Sequence, residues 1–253
     1  MFNTSRRRRR PSKKDRRKRS RRHAPVKQMR RQRGGNGDTI PKVCIQTAKK
    51  PVDAYITTQL KQYLDGWTYI FFSDEDIMKF FDEHPHKDYP AIKDKFNAFT
   101  HGEHKADLFR YYYIFMKGGV FIDSDLMLYE NLDTILGNKK FVSVRALQPV
   151  GSVFNGFLAA TPQHPIILDA LNDTYKVEDS ALKKFYHLLV ARLGTFVDKH
   201  MEPSVKLLNE ITNTGFSCNI KDPDSGKISM IHYQNSVVPD IPVHSGNTNP
   251  KIA

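Results

Sequence analysis

The chain has 253 residues, of which 39% are hydrophobic, and a formal net charge of +13. The charge is concentrated at one end: residues 1–33 carry 17 Lys or Arg and one acid, whereas residues 34–253 carry 23 bases and 26 acids. This distribution excludes a uniformly basic domain. The presence of only two cysteines argues against a disulfide framework or a zinc cluster, and because there is no run of 18 apolar residues, no membrane-spanning helix is predicted.

Residues 1–37 are predicted to be a disordered, Arg- and Lys-rich tail that ends in a glycine linker. Such a segment has almost no large apolar side chains with which to bury a core. Its arginine run could bind the phosphates of nucleic acid, bind an anionic surface or act as a nuclear signal. The alternative is a solvated tail without a specific partner. Residues 38–253 are sufficient for one domain with a complete core.

The apolar pattern of residues 38–253 predicts alternating strands and helices. Strands are expected at 43–45, 67–72, 120–122, 126–129, 141–144, 153–158 and 228–232, and helices at 52–65, 74–83, 91–99, 103–117, 165–175, 181–197 and 203–211, with a short helix after 131–133. This alternation predicts an α/β fold whose sheet is parallel in its first half and mixed later.

Residues 103–133 hold the pattern on which the functional interpretation depends. A helix without Gly or Pro is predicted to end at Gly118, an apolar strand follows Gly119, and the strand ends in Asp123-Ser124-Asp125. Ligands of α/β sheets bind beyond the carboxyl ends of the strands. Two carboxylates one residue apart at that place can hold a hard divalent cation and a polar ligand.

The same Asp-x-Asp spacing occurs twice more and has a structural interpretation at both places. Asp74-Glu75-Asp76 follows Ser73 and is predicted to cap a helix, whereas Asp222-Pro223-Asp224 is typical of a turn. For Asp123 and Asp125 the alternative is a strand-end turn with solvated carboxylates. For Asp107 and Arg110, which share one helical face, the alternative to a ligand site is an ion pair within the helix.

Five segments in this order resemble the glycosyltransferases that carry the DXD sugar-binding region, the group containing yeast Golgi mannosyltransferases and relatives in bacteria and large DNA viruses. A more distant resemblance is to the glucosyltransferase domain of large clostridial toxins. The segments are IPKVCIQT at 40–47, Gly66-Trp67 with FFSDED at 71–76, ADLFRY at 106–111, GGVFIDSD at 118–125 and FNGFLAATPQHP at 154–165.

The resemblance implies a GT-A fold, which is a single Rossmann-like domain with a mixed central sheet over residues 38–253. It implies a metal-dependent hexosyltransferase that uses a UDP- or GDP-linked sugar and Mn²⁺ or Mg²⁺. The acceptor would be a hydroxyl of a glycan, lipid or protein, and the transfer would retain the anomeric configuration through a same-face mechanism.

The resemblance also implies roles for individual residues. Asp125 would coordinate the metal directly, and Asp123 would bind ribose or sugar hydroxyls, with or without a metal-bound water. Together with Arg110 they form the expected catalytic set. The expected substrate-binding residues are Gln46 and Thr47 at the nucleotide, Asp107 and Arg110 at the sugar hydroxyls, Asp123, and Asn155 beside the sugar.

Relatives in the family supply a further metal ligand near the C-terminus, usually a His beside a Ser-Trp pair. Here His232 and His244 are the candidates, and His244-Ser245 is the better match, so the expected metal ligands are Asp125, Asp123 and His244. No Trp follows either histidine, which leaves two rivals open. One is a catalytically degenerate transferase domain that serves as a nucleic-acid-binding or scaffold protein through its basic tail, and the other is a metal-dependent nucleotidyl or phosphoryl transferase.

The N-terminus has a charged region without an apolar segment after it, which does not match a secretory signal. From this we expect a cytoplasmic location, with a nuclear or viral setting as alternatives and the Golgi lumen disfavoured.

Overall fold

A computed structural model describes residues 38–48, 54–212 and 217–233. The basic tail of residues 1–37 and the predicted metal ligand His244 lie outside the described residues. Both therefore stay predictions from the sequence.

The described residues form nine strands and eight helices. The strands are β1 Val43–Thr47, β2 Thr68–Phe72, β3 Gly119–Ile122, β4 Leu126–Leu128, β5 Phe141–Arg145, β6 Val153–Ala160, β7 Val205–Thr212, β8 Ser217–Lys221 and β9 Ile228–Tyr233. The helices are α1 Ala54–Lys61, α2 Asp74–Glu83, α3 Ile92–Ala98, α4 Gly102–Lys117, α5 Leu132–Leu136, α6 Pro165–Lys176, α7 Asp179–Lys184 and α8 Leu188–Lys199. None of these helices is long and apolar enough to cross a membrane.

The strands join one sheet in the order β2-β1-β3-β6-β5-β7-β8-β9-β4. β1 pairs in parallel with β2 and β3, and β5 pairs in parallel with β7, whereas the other pairs are antiparallel. The predicted α/β fold is confirmed, with a sheet that is parallel in its first half and mixed later. This arrangement agrees with the GT-A expectation.

The sheet curls so that its far edge returns to its middle. Only residues 123–125 separate β3, which lies third in the sheet, from β4, which lies at the far edge. Three residues reach about 10 Å when fully extended, so β4 and its partner β9 must lie close to the end of β3. The register places His232 of β9 opposite Leu126 of β4, directly after Asp125.

Apolar side chains cover both faces of the sheet, as expected for a sheet with helices on each side. In β3, Phe121 packs into the cluster that contains α4 and α6, whereas Val120 and Ile122 pack into the cluster that contains α5. Helix α4 is buried almost all round, because it lies against the sheet on one side and against α6 and α3 on the others. Complete burial of its aromatic and aliphatic side chains stabilises the fold by roughly 1.5–3 kcal/mol each.

Gly118 and Gly119, at the junction of α4 and β3, are required because other parts of the chain approach closely there. Gly119 has a φ of 114°, and a Cβ atom there would lie 2.7 Å from the carbonyl oxygen of Val43. A larger residue would push β3 away from β1. The glycines thus set the position of the strand that delivers Asp123 and Asp125.

The two other Asp-x-Asp segments have the structural roles predicted for them. Ser73 and Asp76 form a reciprocal capping box at the start of α2. Asp222 accepts a hydrogen bond from the backbone N–H of Asp224 in a turn, and both carboxylates contact Lys206.

Three predictions of secondary structure are wrong. Residues 203–211 were expected to be a helix, but 205–212 form β7, because pairing with β5 and β8 outweighs the helical preference of Lys, Leu and Glu. The helix expected at 181–197 is interrupted at 185–187 and forms α7 and α8. Strand β8 was not predicted, since five residues between turns carry little periodicity.

Candidate active site

A cleft of about 920 Å³ lies beyond the carboxyl ends of β1 and β3. It is lined by six of the residues predicted from the sequence: Thr47, Asp107, Arg110, Asp123, Asp125 and Asn155. Glu210 of β7 and His232 of β9 reach the same cleft from the far part of the sheet. The fold thus brings most of the predicted site residues together in one place.

Arg110 is the centre of the polar network. Its two terminal nitrogens contact the Asp123 carboxylate at 3.3 and 3.4 Å, and Nη2 lies 3.4 Å from Asp107 Oδ1. Nη1 also donates to the backbone carbonyl of Asn155 at 2.6 Å, and the guanidinium lies 4.0 Å from the ring centroid of Phe121. Arg110 therefore pairs with carboxylates of two separate elements, which a simple helix ion pair does not explain.

Asn155 joins β6 to the same network. Its side-chain amide donates to Asp107 Oδ1 at 2.8 Å and to the Tyr111 hydroxyl at 3.1 Å. Burial raises the pKa of Asp107 to about 6, although the Arg110 charge acts to lower it. Burial alone would lower the pKa of Arg110, but Asp123 and Asp107 outweigh it, so the pKa of Arg110 is raised. The guanidinium is therefore charged at every physiological pH.

The backbone of Asp123 is held from two sides. Its N–H donates to the carbonyl of Gly156 at 2.7 Å, and the Gln46 amide donates to its carbonyl at 3.4 Å. A Cβ atom on Gly156 would lie 2.6 Å from Asp123 Oδ2, so only glycine leaves room for this carboxylate.

Gln46 and Thr47 differ in what they can contact. Thr47 lines the cleft, but Gln46 is fully buried, does not line it, and also accepts a hydrogen bond from the Tyr69 hydroxyl at 2.8 Å. In this structure Gln46 positions Asp123. Its predicted contact with a nucleotide stays a prediction.

Asp125 lies beside His232, which the sequence indicated less strongly than His244 as a metal ligand. The carboxylate Oδ2 of Asp125 is 3.9 Å from His232 Nε2, and His232 Nδ1 lies 3.0 Å from Glu210 Oε1. The imidazole also stacks on Phe154, with ring centroids 4.3 Å apart. Burial raises the pKa of Asp125 to about 6, and the Asp123 carboxylate acts in the same direction.

Asp125 Oδ1 is buried and has no hydrogen-bond partner among the described residues. Such an orphaned carboxylate oxygen is costly unless a ligand satisfies it. Within residues 38–48, 54–212 and 217–233, however, no three His, Cys, Asp or Glu side chains are grouped closely enough to form a complete metal cluster.

Two cleft residues were missed by sequence reasoning. Glu210 was assigned to a helix, so its approach to His232 could not be foreseen. His104 is buried, lines the cleft and has an Nδ1 atom without a partner in the part of the chain that the structure describes. Its spacing of three residues from Asp107 on a buried helical face was the signal that could have indicated it.

The comparisons with known proteins point to one class, the glycosyltransferases with a DXD motif. A family profile described as "Glycosyltransferase sugar-binding region containing DXD motif" matches residues 50–142. Over that region the chain is similar to this family, which confirms the resemblance predicted from the sequence.

Curated relatives match about half of the chain. Inositol phosphoceramide mannosyltransferase 1 of Schizosaccharomyces pombe is 29% identical over 121 residues, which cover 48% of this chain and 36% of the relative. Mannosyl phosphorylinositol ceramide synthase SUR1 of Saccharomyces cerevisiae is 32% identical over 136 residues, covering 52% and 34%. Uncharacterized glycosyltransferase L373 of Acanthamoeba polyphaga mimivirus is 26% identical over 119 residues, covering 44% and 46%. The chain thus spans about a third of the length of the first two relatives.

Among solved structures, the chain is similar to one titled "PaToxG Glycosyltransferase". The sequence identity is 14%, the TM-score is 0.46, and the match covers 65% of this chain and 71% of that one.

The expectation of a cytoplasmic location is wrong. It is contradicted by relatives whose names describe mannosylation of inositol phosphoceramide, a membrane lipid. The charged N-terminal segment on which that expectation depended carries no weight, since the chain spans only part of these relatives.

Proposed function

We propose that the protein transfers a hexose from a UDP- or GDP-linked donor to a hydroxyl on a lipid acceptor, with Mn²⁺ or Mg²⁺ in the cleft. The observation that carries this proposal is the buried guanidinium of Arg110, which joins Asp107 and Asp123 at the end of the strand that leads into Asp123-Ser124-Asp125. The size of the cleft supports a donor of this kind, because small-molecule sites usually measure about 300–1,000 Å³.

The sugar of the donor would lie against the network of Arg110. A guanidinium presents several oriented donors, and carboxylates and amides accept and donate to hydroxyls at fixed angles. Asp107 and Asn155 are both held by other side chains, so their free hydrogen-bonding positions point in defined directions. A rigid array of this kind suits a ligand rich in hydroxyl groups.

The chemistry of three side chains at the end of β3 suits a divalent cation, although among the described residues they are not grouped closely enough to form a complete cluster. Asp125 offers a buried oxygen without a partner, Asp123 offers a second carboxylate, and His232 offers an imidazole that Glu210 orients. Carboxylate oxygens suit both Mg²⁺ and Mn²⁺, and an imidazole favours Mn²⁺. When bound, the cation would offset the negative charge of the departing diphosphate.

Retention of configuration is part of the proposal. A retaining double displacement needs a free carboxylate nucleophile at the sugar, but Asp107 and Asp123 are both bound to Arg110. The same-face route needs no such nucleophile, because the leaving phosphate assists deprotonation of the acceptor. The binding of both carboxylates to Arg110 supports the same-face route, which the resemblance to the family implies.

The acceptor is assigned to lipids because of the relatives. Two of them are named for the mannosylation of a ceramide lipid, which favours a lipid hydroxyl over a glycan or protein and makes mannose the first sugar to test.

Substitution of Asp125 tests the site. Asp125→Asn keeps the size of the side chain but removes the charge that a hard cation requires. Turnover of GDP-mannose or UDP-glucose with Mn²⁺ should fall about 100-fold or more, which corresponds to roughly 3 kcal/mol of transition-state stabilisation. Calorimetric titration with Mn²⁺ should show a matching loss of binding.

Asp224→Asn is the control, since it alters an exposed carboxylate of another Asp-x-Asp segment. It should leave Mn²⁺ binding and turnover unchanged. Wild-type turnover by Asp125→Asn would show that the site is misassigned. Binding of nucleotide-sugar without any turnover by the wild-type protein would instead support the degenerate-domain alternative.

A further inference from the structure

Large apolar side chains are exposed on two loops at the mouth of the cleft. Six large hydrophobic residues of the described chain are exposed, and four of them lie in these loops: Leu147, Val150, Phe185 and Tyr186. We call residues 146–152 and 185–187 the rim loops, because each contributes to the lining of the cleft, the first through Gln148 and the second through Tyr186. Exposed apolar residues scattered singly are ordinary, whereas a group beside a cleft marks an interaction surface.

The first rim loop holds its apolar residues outward on an ordered backbone. The N–H of Leu147 donates to Glu210 at 2.9 Å, and the Arg145 side chain donates to the carbonyl of Gly151 at 2.8 Å. Helix α8 packs so closely on this loop that a Cβ on Gly194 would lie 2.0 Å from the same carbonyl. Val150 is 85% exposed at the tip of this fixed turn.

The second rim loop is held in a similar way. The N–H of Phe185 donates to Ala181, and the N–H of Leu188 donates back to Phe185, at 2.9 and 3.0 Å. Phe185 is 57% exposed. Phe185 and Tyr186 are thus exposed at the mouth of the cleft, although burial of such side chains would stabilise the fold.

Charge around the rim loops also suits an interface. The ammonium of Lys184 lies 5.3 Å from the Phe185 ring centroid, a pairing of aromatic and cation that is typical of lipid–water boundaries. Two nearby carboxylates are paired with cations: Asp179 with Lys183 at 2.9 Å, and Asp198 with Arg145 at 2.6 Å.

We propose that the rim loops dock the protein on the surface of a phospholipid bilayer, with Val150 and Phe185 inserted and the cleft facing the membrane. This inference rests on the proposed lipid acceptor, whose head group must reach the donor through this mouth. A second copy of the chain would cover the mouth without supplying an acceptor, whereas a bilayer carries the proposed acceptor, and the bilayer is therefore the favoured occupant.

Local fluorescence tests the proposal on the full chain. Phe185→Trp adds an indole at the rim, and Met201→Trp adds one at a comparably exposed apolar position outside the rim loops. Natural Trp67, whose indole donates to Asp133, provides the same background in both proteins. Each protein is mixed with vesicles of phosphatidylcholine and a minor fraction of phosphatidylinositol, whose acyl chains are brominated. The buffer contains enough salt to screen the charge of the basic tail.

The indole at 185 should shift to shorter wavelength and lose about half or more of its emission, since interfacial side chains penetrate roughly 5–10 Å. The indole at 201 should change little. The double variant Val150→Asp with Phe185→Ser should reduce vesicle co-sedimentation about tenfold or more. Hydrolysis of the donor without acceptor should be unchanged in that variant.

Equal quenching at 185 and 201, or no quenching at 185, would overturn the docking proposal. So would concentration-dependent dimerisation that the double variant abolishes, because a second copy would then occupy the rim loops. Donor hydrolysis separates the two proposals. Its absence from the wild-type protein would refute the transferase proposal, even if the indole at 185 enters the bilayer.

Discussion

At the scale of single residues, Arg110 determines the geometry of the cleft. It is only 3% exposed, and a buried charge is tolerated when carboxylates and hydrogen bonds compensate it. Its partners lie on three elements: Asp107 on α4, Asp123 after β3 and the Asn155 carbonyl on β6. The sequence predicted that Asp107 and Arg110 share one helical face, with an ion pair as the alternative to a ligand site, but only the fold shows that Arg110 also binds Asp123.

Substitutions of Arg110 should separate a structural role from contact with sugar. Arg110→Ala leaves the buried Asp107 and the partly exposed Asp123 carboxylates without their cation and should lower the free energy of unfolding by about 3 kcal/mol. Arg110→Lys keeps the charge but loses the planar fork, so it should fold and still bind sugar poorly. Isothermal titration of Arg110→Lys should show weaker binding of the nucleotide-sugar, with little change for the free nucleotide. An equal loss for both ligands would contradict sugar contact.

At the scale of elements, β6 connects the sugar network to the cation site. Asn155 bonds to Asp107 on α4, Phe154 stacks on His232, and Gly156 leaves room for the Asp123 carboxylate. Three consecutive residues therefore position side chains from three other elements. The sequence indicated a strand here and suggested Asn155, but no local pattern could show what these residues contact.

The start of α6 yields a prediction on acid stability. His164 is its N-cap, and Nδ1 accepts a hydrogen bond from the N–H of Ile166 at 3.3 Å, which requires neutral imidazole. Burial lowers the pKa of His164 from 6.5 to about 4. As the pH falls, His164 is protonated in the unfolded chain before it is protonated in the folded protein. Its contribution to the free energy of unfolding is therefore complete above about pH 6.5 and is lost toward pH 4.

His164→Asn keeps an N-cap oxygen without the titration. Urea denaturation measures the free energy of unfolding of both proteins at neutral pH and at about pH 4.5. Between these two pH values the wild-type protein should lose about 1–2 kcal/mol more of this free energy than the variant, a value reduced for solvent screening. The same acid loss in both proteins would show that His164 is not the group responsible.

At the scale of the whole molecule, the charge asymmetry predicts independence of tail and domain. Residues 1–33 carry 17 Lys or Arg and lie outside the described residues. Since such a segment cannot bury apolar surface, its deletion should leave the melting temperature and donor hydrolysis unchanged. Calorimetry of the shortened chain measures the melting temperature, and release of free nucleotide measures donor hydrolysis. A large fall in melting temperature would mean that the tail packs on the domain.

The sequence by itself determined the elements that depend on near neighbours. The helix, the two glycines, the apolar strand and the Asp-x-Asp segment from 103 to 125 were predictable, because helical period, glycine conformation and strand ends are local properties. The capping box at Ser73 and the turn at Asp222 were predictable for the same reason.

Only the tertiary structure decided which distant residues complete the cleft. β7 was mistaken for a helix, because its Leu, Lys and Glu residues favour helices and the pairing with β5 outweighs that preference. His232 reaches Asp125 because β9 pairs with β4 and the sheet curls back to the end of β3. Pairing between remote strands depends on the packing of the entire sheet, and no window of sequence contains that information.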